Sequence, residues 1–143
     1  MQPKLAIIVP TLNESGNIPR IYEQLKSTLV NESWELIIVD DDSSDGTSNT
    51  VLEIAAKDSR VRLIIRINRK GLSSACIEGM LSTCAPLIAV MDADLQHDIK
   101  IIPRMLKASY NHDLIIGSRY LDQSQIRGWS QNRRKISLYG TRF

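Results

Sequence analysis

The chain has 143 residues, 43% hydrophobic and 24% charged, which is enough for one soluble domain with a real core. A formal net charge of +2 leaves no electrostatic footprint for nucleic acid, and no apolar run is long enough to cross a bilayer. Cys76 and Cys84 have neither metal-ligand spacing nor a redox motif and read as reduced core thiols in a cytoplasmic setting, while Met1–Lys4 leads straight into an apolar run and is not a signal peptide.

In chain order, Leu5–Val9 is a short apolar run ended by Pro10 and is expected to be a buried strand. A loop over residues 11–17 precedes a helix over about Ile18 to Leu29, with Ile18, Ile21, Tyr22, Leu25 and Leu29 at helical spacing and Pro19 in the first turn. Trp34–Val39 is the second strand, and it runs into the acidic stretch Asp40 to Asp45. A helix carrying Val51, Leu52, Ile54 and Ala55 follows, with Ser44 or Asp45 as its cap. Val61–Ile65 is the third strand. After the basic loop Arg66 to Lys70, Gly71 opens a helix through about Cys84, whose small residues Ser73, Ser74, Ala75 and Gly79 predict close packing. Pro86 starts the fourth strand, which ends in the Asp92-Ala93-Asp94 stretch, a helix runs from about Ile99 to Tyr110, and Asp113–Gly117 is expected as a fifth strand.

Alternating apolar strands and helices predict an α/β fold: a mostly parallel sheet with helices on both faces. Ligands bind such sheets outside the carboxyl ends of the strands. The polar clusters all follow strands: Asn13 and Glu14, Asp40 to Asp45, Arg66 to Lys70, Asp92 to Gln96, and Arg119. In Asp92-Ala93-Asp94-Leu95-Gln96, alternate residues of an extended chain would share one face, so Asp92, Asp94 and Gln96 could present oxygens to a hard cation, Mg²⁺ or Mn²⁺. A polar turn is the plainer reading of that stretch, a capped turn that of Asp40 to Asp45, and a solvated face that of Arg133 to Lys135. His97 reads as a surface residue or one behind the ligands, and Trp129 as a headgroup anchor or a core contact.

Four stretches in order, Val9-Pro10-Thr11-Leu12-Asn13-Glu14, Val39 to Thr47, Met91 to His97 and Gly117-Ser118-Arg119-Tyr120, resemble the family 2 glycosyltransferases, and among them the polyprenyl-phosphate sugar transferases. The resemblance implies a GT-A, Rossmann-like nucleotide-sugar fold filling residues 1–143 as a single catalytic domain. It implies an inverting enzyme that moves mannose or glucose from a GDP-mannose or UDP-glucose class donor to a polyprenyl or dolichyl phosphate, with Mg²⁺ or Mn²⁺. Pro10, Leu12 and Glu14 would line the nucleotide pocket, and Val39 and Asp41 would meet the base, supported by Asp40. Asp92, Ala93 and Asp94 would hold ribose and diphosphate, Asp94 and Gln96 the metal, and Arg119 the phosphates, with Asp94 and Arg119 as the catalytic pair. Arg133, Arg134 and Ser137 echo a basic stretch near the acceptor phosphate. The place implied is the cytoplasmic face of a membrane, peripherally bound to its surface.

The sequence departs from that family at Leu12, where Tyr is frequent, at Asp42, where Gly is common, and near Thr141, where Asn is usual. The family's later segment has no counterpart before Phe143, so we expect the front part of a longer protein or a shortened form of one. A phosphate acceptor is already anionic and needs no general base, whereas a sugar hydroxyl needs one. Asp122 is the only acid after Asp113, which favours the phosphate. Transfer to a saccharide hydroxyl and a non-catalytic nucleotide-binding module remain the alternatives.

Overall fold

The apolar runs Leu5–Val9 and Leu36–Val39 become the cores of the two central strands, because only a strand covered on both faces can be apolar over successive positions. The structure, a computed structural model, describes residues 2–118. β1 (Leu5–Thr11) and β2 (Trp34–Asp40) are almost wholly buried and pair in parallel, Ile8 opposite Ile37. β3 (Val61–Ile65) adds to β2 and β4 (Leu87–Val90) to β1, so the sheet runs β3-β2-β1-β4, all parallel.

The helices fall where alternation along the strands sends them. α1 (Ile18–Thr28) buries Ile18, Ile21, Tyr22 and Leu25 at the spacing of one helical face, with Pro19 in the first turn. Burying each such side chain contributes up to about 1.5–3 kcal/mol. α2 (Thr47–Ala55) packs against α1. α3 (Leu72–Leu81) joins the edge strands β3 and β4 and therefore crosses β2 and β1. Ala6, Ile8, Ile37 and Val39, which share one face, form a core cluster with Ala75. Contact is tightest at Gly79, where an added Cβ would overlap Ile8 Cγ2 and stand 3.0 Å from Val39 Cγ2.

β4 is short for a reason that lies in β1. Met91 N–H donates to the Ile8 carbonyl at 3.1 Å, and the register places Ile8 opposite Val90. The next rung would need an N–H from Pro10, which has none. The ladder ends there, and the chain leaves the sheet at Met91.

Farther along, a 3-10 turn (Ile99–Ile101) leads into α4 (Ile102–Ala108). The helix expected from Ile99 is split because Pro103 cannot donate back to Ile99. The chain divides into two compact units, Met1–Arg104 and Met105–Phe143. The sheet, α1 to α3 and all four loops at the strands' carboxyl ends belong to the first.

Several expectations are corrected. Asp113–Gly117 is not a strand: residues 114–118 take no regular structure, and Leu114 and Ile116 are 78% and 75% exposed. A three-residue apolar run has no strand character without a ladder to join. The helix begun at Gly71 ends at Leu81, Cys84 is exposed rather than a core thiol, and Ser73 and Ser74 face outward while Ala75 and Gly79 make the close contact.

At the amino ends of β2 and β3, Arg60 forks onto Asp58 (Nη2 to Oδ2 2.6 Å, Nε to Oδ1 2.9 Å), and Tyr22 donates its hydroxyl to the same carboxylate. The guanidinium lies 4.3 Å from the Trp34 ring centre. The Arg60 hydrogen bond holds the Asp58 carboxyl well below the usual carboxylate range, against the opposing effect of burial. Among the described residues no helix is long and apolar enough to cross a membrane.

Candidate nucleotide-sugar site

Four loops leave the carboxyl ends of the strands, and hydrogen bonds tie those after β1, β2 and β3 to one another. The loops after β1 and β2 are joined first. Asn13 N–H donates to Ser43 Oγ at 2.7 Å, and Ser44 N–H donates to Asn13 Oδ1 at 3.0 Å. Glu14 N–H donates to Thr47 Oγ1 at 2.9 Å and Ser15 N–H to Asp45 Oδ2 at 3.0 Å. Asn13 and Asp42 both take positive φ (58° and 62°), which Asn and Asp tolerate better than most residues. Asp45 also accepts from the Thr47 hydroxyl and N–H, so it serves the first turn of α2 although Gly46 (φ 91°) holds the N-cap position. These bonds, the Thr47 hydroxyl first, push the Asp45 carboxyl far below its ordinary range.

Asp40 is fully buried and accepts from the hydroxyls of Thr11, Ser43 and Ser48, so it braces β1, the loop and α2. Asp41 turns the other way. Its Oδ1 accepts from Arg66 Nη1 at 2.6 Å and its Oδ2 from Gly71 N–H at 2.8 Å. Arg66 is 2% exposed. Its Nη1 also donates to the Gly71 carbonyl at 3.1 Å and its Nη2 to Ser74 Oγ at 2.5 Å. Its Nε lies 3.2 Å from Glu78 Oε2 but is out of hydrogen-bond alignment, so this contact is an ion pair only. Gly71 takes φ 137° at the start of α3, a conformation that leaves both its N–H and its carbonyl on this pair. Arg66 was legible in the sequence only as part of a basic loop; its partner lies 25 residues earlier.

The fourth loop carries the Asp-x-Asp pair. It is not extended: the strand ends at Val90, and Leu95 has φ 60°. Period-two alternation therefore does not explain how Asp92, Asp94 and Gln96 stand. Local bonds do. Asp94 Oδ1 accepts from Gln96 N–H at 3.0 Å, and Asp92 N–H donates to His97 Nδ1 at 3.2 Å. Asp92 is half-exposed, Asp94 and Gln96 are exposed, and Ala93 is buried beneath them. Burial and the Asp92 charge push the nearby Cys76 thiol up.

Of the other expected residues, Pro10 and Glu14 are half-buried, with Glu14 Oε2 accepting from Asn17 Nδ2 at 2.7 Å. Leu12 is 45% exposed at the rim. The Val39 side chain is fully buried in the core against α3, which leaves only its backbone for a ligand. Arg119, Arg133, Arg134 and Ser137 lie outside the described residues.

Among the described residues no three His, Cys, Asp or Glu side chains form a ready metal cage. Two outward carboxylates and an amide nevertheless fit a hard cation that completes its shell with water and substrate phosphate, as Mg²⁺ and Mn²⁺ do.

The sequence matches the family described as Glycosyl transferase family 2 over residues 6–143. It is 38% identical over 135 residues to a dolichol-phosphate mannosyltransferase of Pyrococcus furiosus, covering 94% of this chain and 38% of that one. It is 34% identical over 141 residues to an undecaprenyl-phosphate mannosyltransferase of Micrococcus luteus, covering 96% and 57%. A mannosyltransferase from Pyrobaculum calidifontis, solved with GDP-Man and Mn²⁺, superposes with a TM-score of 0.58 at 23% identity over 71% of this chain and 30% of that one. This chain thus spans between about two fifths and three fifths of the curated relatives' length.

Proposed function

The chain belongs to glycosyl transferase family 2 and has its GT-A type of α/β sheet, and on that premise we propose that it moves a hexosyl group, mannosyl first, from a nucleoside-diphosphate sugar to a polyprenyl phosphate. The observation that carries this reading is the rim itself. Every strand's carboxyl end bears a polar loop, and the chain that arranges them is 38% identical to a dolichol-phosphate mannosyltransferase across 94% of its length.

The roles divide by loop. Pro10, Leu12 and Glu14 bound the nucleoside, and Asp41 has lone pairs left for the N–H groups of a base. Asp92 and the backbone at Ala93 approach ribose and diphosphate. Asp92, Asp94 and Gln96 would hold Mg²⁺ or Mn²⁺, and the cation would supply Lewis-acid stabilisation of the leaving diphosphate. Arg66 is consumed by Asp41, so the fixed positive charge for the phosphates comes from elsewhere in the chain. Arg119 takes that role, and Arg133, Arg134 and Ser137 meet the acceptor phosphate. The acceptor oxygen is anionic and attacks without a general base, with inversion at the sugar carbon. The lipid acceptor puts the protein at a membrane surface, and the nucleotide-sugar donor puts it on the cytoplasmic face.

The test is transfer of labelled mannose from GDP-mannose to a short polyprenyl phosphate, with UDP-glucose and a saccharide acceptor in parallel. Nucleotide binding without turnover on any acceptor would replace this reading with that of a nucleotide-binding module.

A further inference from the structure

We propose that His97 is a positioning residue: it closes the loop from Asp92 to Asp98 and so fixes where the Asp92 and Asp94 carboxylates stand for a cation brought by a nucleoside diphosphate. The inference rests on the metal role given above to Asp92, Asp94 and Gln96.

The loop needs such a closure because the sheet does not hold it. Pro10 ends the β1–β4 ladder, so Met91 N–H is the last main-chain donor to β1 from the β4 side. The other end is secured by Ile99, buried in the core, and by Asp98, whose Oδ1 accepts from Lys100 N–H at 3.1 Å. Between them Leu95 holds φ 60°, which costs a branched residue about 1–2 kcal/mol. Something within the loop must offset that cost.

His97 touches Asp92 twice. Its Nδ1 accepts the Asp92 N–H at 3.2 Å, and its Nε2 lies 3.5 Å from Asp92 Oδ2. An Nδ1 that accepts leaves the ring proton on Nε2, the nitrogen that faces the carboxylate. The bond to Nδ1 therefore fixes the main chain at Asp92, while Nε2 only stands beside the carboxylate, too far for a strong hydrogen bond. Asp94 inherits the placement, since it is separated from Asp92 by the buried Ala93 and is held by its own bond from Gln96 N–H. Side chains that orient metal-binding carboxylates in this way typically change affinity by about 10–100-fold when removed.

The experiment compares the whole chain with His97→Ala, His97→Asn and His97→Gln. Mn²⁺ binding in the presence of GDP is followed by electron paramagnetic resonance, and Asp92 amide exchange by nuclear magnetic resonance without metal. His97→Ala is expected to lose about tenfold or more in Mn²⁺ affinity and to speed exchange at Asp92. His97→Asn places an oxygen where Nδ1 stood, accepts the same N–H and recovers most of both losses. His97→Gln reaches only the Nε2 position and behaves like the alanine variant. If the alanine variant does not fold, the contrast between asparagine and glutamine decides. A parent chain that binds no Mn²⁺ overturns the metal reading and this proposal together. Parent-like binding by His97→Ala, or equal loss in the asparagine and glutamine variants, overturns the proposal alone and leaves the metal reading standing.

Discussion

Asp40 and Asp41 are neighbours in the chain and serve opposite layers of the sheet. Asp40 binds Ser48 of α2, and Asp41 binds Arg66 and the start of α3. The cause is the two-residue period of the strand, which β2 carries into its last residue. One dipeptide thereby ties the rim to both helical layers, and its carboxylates are not interchangeable.

The buried pair gives the first prediction. Removing one partner of a buried ion pair leaves the other charge unpaired and costs about 3–5 kcal/mol. Asp41→Ala is expected to lower the unfolding free energy, read from a urea titration, by that much and to weaken GDP binding as well. Asp41→Ala with Arg66→Met should regain a good part of the stability but not the nucleotide affinity. Stability losses that simply add would show that the two side chains are not coupled.

Close packing gives the second. Gly79→Ala drives a methyl group into Ile8 and toward Val39, and overpacking of this kind costs about 1–3 kcal/mol. Gly16→Ala, where an added Cβ meets nothing within 4 Å, is the control and should leave the melting temperature nearly unchanged. Equal melting temperatures for the two variants would contradict the contact.

The third concerns acid. Asp58 has a depressed folded-state pKa against an ordinary value of 3.8. Its contribution is therefore present above about pH 4 and is lost as pH falls through the folded-state value. Asp58→Asn should destabilise the protein at pH 7, and the gap to the parent should narrow progressively as pH falls below about 4. A gap that stays constant down to pH 2 would mean that the carboxylate charge contributes nothing.

Metal removal gives the fourth. Asp94→Asn is expected to weaken Mn²⁺-dependent GDP binding by at least about tenfold, or 1.4 kcal/mol. In chelator the variant and the parent should bind GDP alike. Calorimetry showing the same affinity for both in the presence of Mn²⁺ would remove Asp94 from the cation site.

Much of this was legible in the sequence, though unevenly. Leu5–Val9 and Leu36–Val39 announce buried strands because short continuous apolar runs bounded by polar turns suit a strand covered on both faces. The loops follow, since the polar clusters with chemistry to offer follow the strands and the opposite loops are blander. Asp113–Gly117 misleads for the complementary reason: three apolar residues are ambiguous until a neighbour supplies the ladder. The partners of Asp41 were hidden because Arg66 meets it only across a strand pairing. The posture of Asp92 and Asp94 was hidden because it depends on a proline in another strand and on a left-handed leucine. Those are tertiary facts, which periodicity does not encode.

The strand order β3-β2-β1-β4 also sets a timetable. β1, β2 and β3 follow one another in sequence and in space, while β4 must return to lie beside β1, with Ala6 meeting Ile88. Pairings between distant residues form late, because closing the longer loop costs entropy before any contact offsets it. We expect the half of the rim built on Asn13, Asp40 and Asp45 to be in place while β4 is still unpaired, both on the ribosome and during refolding. Pulse-labelled amide exchange would show protection in β1 and β2 preceding that in β4. On the roles proposed above, the protein would then acquire its grip on a nucleoside before its grip on a diphosphate, and a nascent chain could hold the first without the second.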